Sequence, residues 1–94
     1  MAAATTLRLL IRGRVQGVGF RYAFADEARA RSLRGWVRNR HDSSVEAVLI
    51  GDDDAIEAVA AACARGPRLA KVTGIERTPA EDDGSTGFRE LPTM

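Results

Sequence analysis

The chain has 94 residues, 45% of them hydrophobic and 29% charged, with a formal net charge of +1. That length suits one small domain with one core, which buries roughly 60 to 70% of the surface its unfolded chain exposes, and the composition excludes a disordered or fibrous chain. A net charge so close to zero also excludes a strong overall field toward nucleic acid or acidic membranes, although local patches are still allowed.

The first residues, MAAATTLRLLIRGR, place no basic stretch ahead of a short apolar run. Neither a signal peptide nor a membrane span is expected there, and a cytoplasmic location is the default. Thr6 to Arg12 alternates, with Leu7, Leu9 and Ile11 on one face and Arg8 and Arg12 on the other, which predicts a half-buried strand. A glycine-bearing loop, GRVQGVGFRY, ends it. Arg21 to Leu33 favours helix, with Phe20, Phe24, Ala28, Ala23 and Ala30 near one side and with Leu33 and Gly35 closing it. LRGWVRN is a second extended run carrying Trp36 and Val37, RHDSS supplies turn formers, and VEAVLIG is a third strand, so the two runs form an antiparallel hairpin.

Asp52, Asp53 and Asp54 offer an N-cap and first-turn negative charge to a second helix, in which Ile56, Val59, Ala60 and Cys63 recur at helical spacing. Gly66-Pro67 stops that helix. Cys63 is the only cysteine, which excludes an internal disulfide and a cysteine-built zinc site, fits a reducing compartment, and reads as a small buried apolar residue. AKVTGIERTP is a fourth strand with Gly74 as a bulge or close approach, EDDGSTG an exposed loop, and GFREL a short fifth strand. The order predicts an α+β, ferredoxin-like split βαβ sandwich (βαββαβ) over residues 1–94, with two helices on one face of an antiparallel sheet.

The glycine-rich loop is where chemistry is expected. A strand that ends in glycines and opens a helix presents consecutive backbone N–H groups beside the positive end of the helix dipole, an arrangement that binds anions. Gly17 and Gly19 can take positive φ at little cost, so the N–H groups of Gln16, Gly17, Val18, Gly19, Phe20 and Arg21 can curl around one small tetrahedral group. Arg21 then adds a planar fork of donors suited to phosphate oxygens. The glycine spacing is not that of a dinucleotide fingerprint, and no Gly-Lys-Ser/Thr follows for a nucleotide loop. No His, Cys and Asp cluster stands at metal-ligand spacing and His41 has no evident partner for base catalysis, so neither metal nor cofactor is expected.

GRVQGVGFR followed by GWVRN, by GPRLAKV and by a late Gly-Phe strand resembles the acylphosphatase family, in order from Leu7 to Leu91. The resemblance implies metal-free hydrolysis of the carboxyl-phosphate bond of small acyl phosphates to a carboxylate and inorganic phosphate. It places Arg21 on the phosphate-binding arginine, Asn39 on the asparagine that orients the attacking water, and Gln16 to Phe20 on the phosphate loop. A monomer is expected, with neither nucleic acid nor membrane as partner. His41 and the Asp-Ser-Ser turn depart from the family pattern beside Asn39.

Isolated glycines, an isolated arginine or an isolated turn asparagine would each read as ordinary structure; their joint occurrence favours a site. Trp36, Phe20 and Phe24 read as core or pocket wall, and Arg29, Arg31, Arg34, Arg38 and Arg40 as mostly solvated surface. A ferredoxin-like sheet with arginines also suits an RNA-binding module, but QGVGFRYA keeps only Gly17, Gly19 and Phe20 of that motif and lacks its stacking aromatics. A third reading is a regulatory or carbamoyl-transfer partner domain that kept this fold without the activity.

Overall fold

The computed structural model describes residues 4–94. The elements in chain order are β1 (Thr5–Arg14), α1 (Phe20–Ala30), β2 (Arg34–Asn39), β3 (Val45–Gly51), α2 (Asp53–Arg65), β4 (Lys71–Pro79) and β5 (Phe88–Glu90). They form a five-stranded sheet in the order β4-β1-β3-β2-β5 with both helices packed on it, the ferredoxin-like α+β arrangement. Four strands pair antiparallel as expected, while β5 lies parallel to β2 and makes the sheet mixed.

Alternation decides which side chains meet the helices. Leu9, Ile11, Val37, Val45, Ala47 and Leu49 are fully buried on the helix side, with Leu9 opposite Ala47 and Ile11 opposite Val45. Phe20, Phe24, Ala25 and Ala28 face them from α1, and Ile56, Val59, Ala60 and Cys63 from α2. Ala25 takes the place expected of Ala30, which is exposed. Cys63 is buried as expected, and burial pushes its thiol up to about 11.

Trp36 is not a core residue. It stands on the opposite, open face of the sheet, half-buried, with the Arg38 guanidinium 4.7 Å from its ring centroid and its Nε1 donating to Asp83 at 3.1 Å. The arginine series is engaged rather than freely solvated. Arg29 donates to the Phe88 carbonyl, Arg31 pairs with Glu27 and Arg34 with Asp82. Arg8, Arg38 and Arg40 converge on Glu46, whose side chain is 7% exposed. Burial pushes the Glu46 carboxyl up, but its hydrogen bonds from these arginines outweigh that and hold it below the usual carboxylate range. Its contribution to stability is therefore present at neutral pH and lost as pH falls through the lowered value.

Two backbone details differ from the sequence expectations. The α1 end is made by Ser32 in the left-handed region (φ 58°), with Leu33 N–H donating to the Ala28 carbonyl at 3.0 Å, rather than by Gly35. The β4 irregularity falls on Thr73, because Arg12 faces Gly74 while Gly13 faces Val72. The close approach belongs to Gly13, where an added Cβ would stand 2.1 Å from the Lys71 carbonyl, and not to Gly74, where the space is open.

In the turn between β2 and β3, Asp42 accepts the Ser44 N–H at 3.0 Å, and Ser43 sits at φ 75°, a conformation that disfavours a side chain. Ser43→Gly is expected to raise stability by about 0.5 to 1 kcal/mol, the steric relief exceeding the added chain entropy. Urea unfolding checks this, and an unchanged or lowered midpoint would contradict it.

Candidate active site

The loop between β1 and α1 is pinned at both ends. Val15 and Phe20 are 1% and 2% exposed, and Val18 packs partly against the same core. Between them Gly17 and Gly19 adopt φ of 73° and 78°, and no atom lies within 4 Å of where a Cβ would stand at either. Their glycine requirement comes from backbone conformation, which curls the loop, rather than from tight packing. Among the described residues, no backbone N–H from Gln16 to Tyr22 donates a hydrogen bond to a protein acceptor. Gly19 is the α1 N-cap and provides no side-chain cap, and the first turn holds no acidic residue, so no side chain of the helix itself compensates its positive end.

Asn39 reaches this loop through sheet register. It pairs with Val45, which pairs with Ile11, so the three share one row on the helix-facing side at the end of the sheet beneath the start of α1. Its Oδ1 is the buried side-chain polar atom without a hydrogen-bond partner among the described residues. Such an atom costs about 1 to 3 kcal/mol in a folded protein, which points to a ligand or a water as its partner. Arg21, in the first turn of α1, is half-buried and forms no ion pair or hydrogen bond with another described side chain.

These residues enclose a pocket of about 140 Å³ lined by Val15, Gly17, Gly19, Phe20, Arg21, Tyr22, Asn39 and Glu90. Sequence reasoning missed Glu90 and Tyr22. Glu90 comes in because β5 pairs parallel with β2 and sets it beside Val37, a placement that no local pattern reveals. Gln16 does not line the pocket; its side chain turns away and donates to the Arg40 and Ser44 carbonyls at 2.8 and 2.9 Å. A larger hollow of about 230 Å³ lies between the helices, walled mainly by Phe20, Phe24, Val59 and Cys63. Its charged lining side chains are Glu27 and Arg65, whereas the loop glycines, Arg21 and Asn39 all meet at the smaller pocket. No group of three or more His, Cys, Asp and Glu side chains converges at metal-binding distance among the described residues.

A pinned loop of free N–H groups at one end of a ferredoxin-like α+β domain, with Arg21 and an asparagine whose buried amide oxygen has no partner lining the same pocket, defines a class of domain suited to small oxyanions. The acylphosphatase family model matches residues 7–90, and the chain belongs to that family. It is 51% identical to an acylphosphatase of Acidiphilium cryptum over 85 residues, covering 90% of this chain and 93% of that one. The crystal structure of acylphosphatase from Bacillus subtilis superposes with a TM-score of 0.88 at 39% identity, covering 92% and 97% of the two chains. Full-length HypF in its phosphate- and nucleotide-bound form contains a similar unit, with a TM-score of 0.91 at 25% identity over 99% of this chain and 12% of that one.

Proposed function

We propose that residues 1–94 act as one acylphosphatase domain that hydrolyses small acyl phosphates to a carboxylate and inorganic phosphate without a metal ion. The observation that carries the reading is the meeting, at one pocket, of loop segments with undonated N–H groups around Gly17 and Gly19 and of Asn39, whose buried Oδ1 has no partner among the described residues. The loop N–H groups and the Arg21 guanidinium hold the phosphoryl oxygens and gain strength as charge redistributes in the transition state. Asn39 Oδ1 accepts a hydrogen bond from a water and aims its lone pair at phosphorus, in line with the leaving oxygen. As the new P–O bond forms, the bond to the carboxyl oxygen breaks and the electron pair leaves on a carboxylate. The water's proton passes to a phosphoryl oxygen. A carboxylate is a good leaving group, so no general acid is needed.

The pocket is smaller than the roughly 300 to 1,000 Å³ that encloses drug-sized ligands, so the phosphoryl group fits within it and the acyl part stays outside. This favours activity on acyl phosphates of varied acyl group. The same reading makes the chain a cytoplasmic monomer with no nucleic-acid or membrane partner. A Trp36 ring already covered by Arg38, which leaves no bare stacking surface there, supports the absence of a nucleic-acid partner. The test is release of inorganic phosphate from a small acyl phosphate after exhaustive chelation. Undiminished turnover is expected; loss on chelation with recovery on adding a divalent ion would overturn the metal-free route.

A further inference from the structure

The geometry points to Gln16 as a positioning residue that sets Asn39 against the phosphate loop, a role that rests on the function proposed above. Its Nε2 donates to two carbonyls of the β2–β3 turn, Arg40 at 2.8 Å and Ser44 at 2.9 Å, so both protons of the amide nitrogen are used. The same carbonyls are already acceptors within the turn. Ser44 O takes the Arg40 N–H at 2.9 Å, and Arg40 O takes the Ser43 N–H at 3.2 Å. Gln16 thereby completes the hydrogen bonding of the turn from outside.

Arg40 directly follows Asn39, and Gln16 directly precedes Gly17. One side chain therefore spans the two segments that the reaction must hold in register. Among the described residues no other side-chain hydrogen bond joins the loop at 15–19 to the segment 39–44. The turn also needs a brace, since Ser43 holds a left-handed conformation at φ 75°. An offset of about 1 Å between a positioned group and its reacting centre can cost on the order of 10²-fold in rate. The loop's own N–H groups and Arg21 do not depend on the turn, so phosphate binding survives a displacement that misaims the water.

Steady-state kinetics on a small acyl phosphate, with inorganic phosphate as inhibitor, test the role in Gln16→Met and Gln16→Glu. Met keeps length and bulk but cannot donate; Glu keeps shape but at neutral pH presents only acceptors to two carbonyls. Both are expected to lose roughly 10- to 100-fold in kcat, with phosphate inhibition within about threefold of the parent. The Glu variant should recover part of its kcat relative to the parent as pH falls toward about 5, where a protonated carboxyl regains one donor. In an Asn39→Ala background, Gln16→Met should cost less than about twofold, because the group it positions is gone. Parental kcat in Gln16→Met, equal losses in both backgrounds, or phosphate affinity falling in step with kcat would each overturn the role. Should Gln16→Met not fold, the Glu variant's pH recovery decides, and its absence counts against the role. A parent without acyl phosphate hydrolysis overturns the proposed function and this role together, whereas an active parent with an unimpaired Gln16→Met overturns this role alone.

Discussion

Arg21→Lys is expected to lower turnover by on the order of 10³-fold and to weaken inhibition by inorganic phosphate severely, while leaving the fold intact. The charge remains, but the planar fork that can meet two phosphoryl oxygens at once does not. Arginines that neutralise charge on a transferring phosphoryl group contribute 10³- to 10⁵-fold in general. The stability expectation comes from the structure: Arg21 has no ion-pair partner among the described residues, so its replacement removes no internal contact of that kind. Its effect on unfolding should stay within about 0.5 kcal/mol. Kinetics together with urea unfolding check both halves, and near-parental phosphate inhibition in a folded mutant would take Arg21 out of the pocket's chemistry.

Asn39→Ala should separate binding from catalysis. In the proposed mechanism backbone N–H groups and Arg21 hold the phosphate, so removing Asn39 should lower turnover by about 10²- to 10³-fold and leave phosphate inhibition almost unchanged. Its effect on stability should run the other way from its effect on rate. Because Asn39 Oδ1 is buried without a partner, the alanine variant sheds an unsatisfied polar group and should unfold no more easily than the parent, and by up to about 1 kcal/mol less easily. A folded mutant with unchanged turnover would leave Asn39 a strand residue only. One that lost phosphate affinity in proportion to rate would move it into the cradle.

Much of this architecture is written locally. Alternation at Leu7, Leu9 and Ile11 and helical spacing at Ile56, Val59, Ala60 and Cys63 are short-range patterns, and each strand and helix stands near its expected place. The loop was legible for the same reason, since Gly17 and Gly19 announce backbone conformations that few other residues adopt. What the sequence hid depends on pairing between distant segments. Alternation alone could have assigned Trp36 to the open face, opposite Gly35 and Val37, but its aromatic bulk argued for the core; Asp83, forty-seven positions away, completes its environment. Glu90 joins the pocket through a parallel edge pairing. Ser32 and Ser43 hold left-handed conformations that propensity would have given to glycine, and the side chain of Gln16 reaches a turn twenty-four residues onward.

In the proposed function the loop, Arg21 and Asn39 direct water to phosphorus with no metal ion. Hydrolysis of a small acyl phosphate in water enriched in heavy oxygen, under exhaustive chelation, tests it most directly, with the label located by mass spectrometry of both products. In-line attack at phosphorus places the solvent oxygen in inorganic phosphate and none in the carboxylate. Label in the carboxylate would mean attack at the carbonyl carbon and would contradict the role given to Asn39, as would turnover that appears only when a divalent ion is restored.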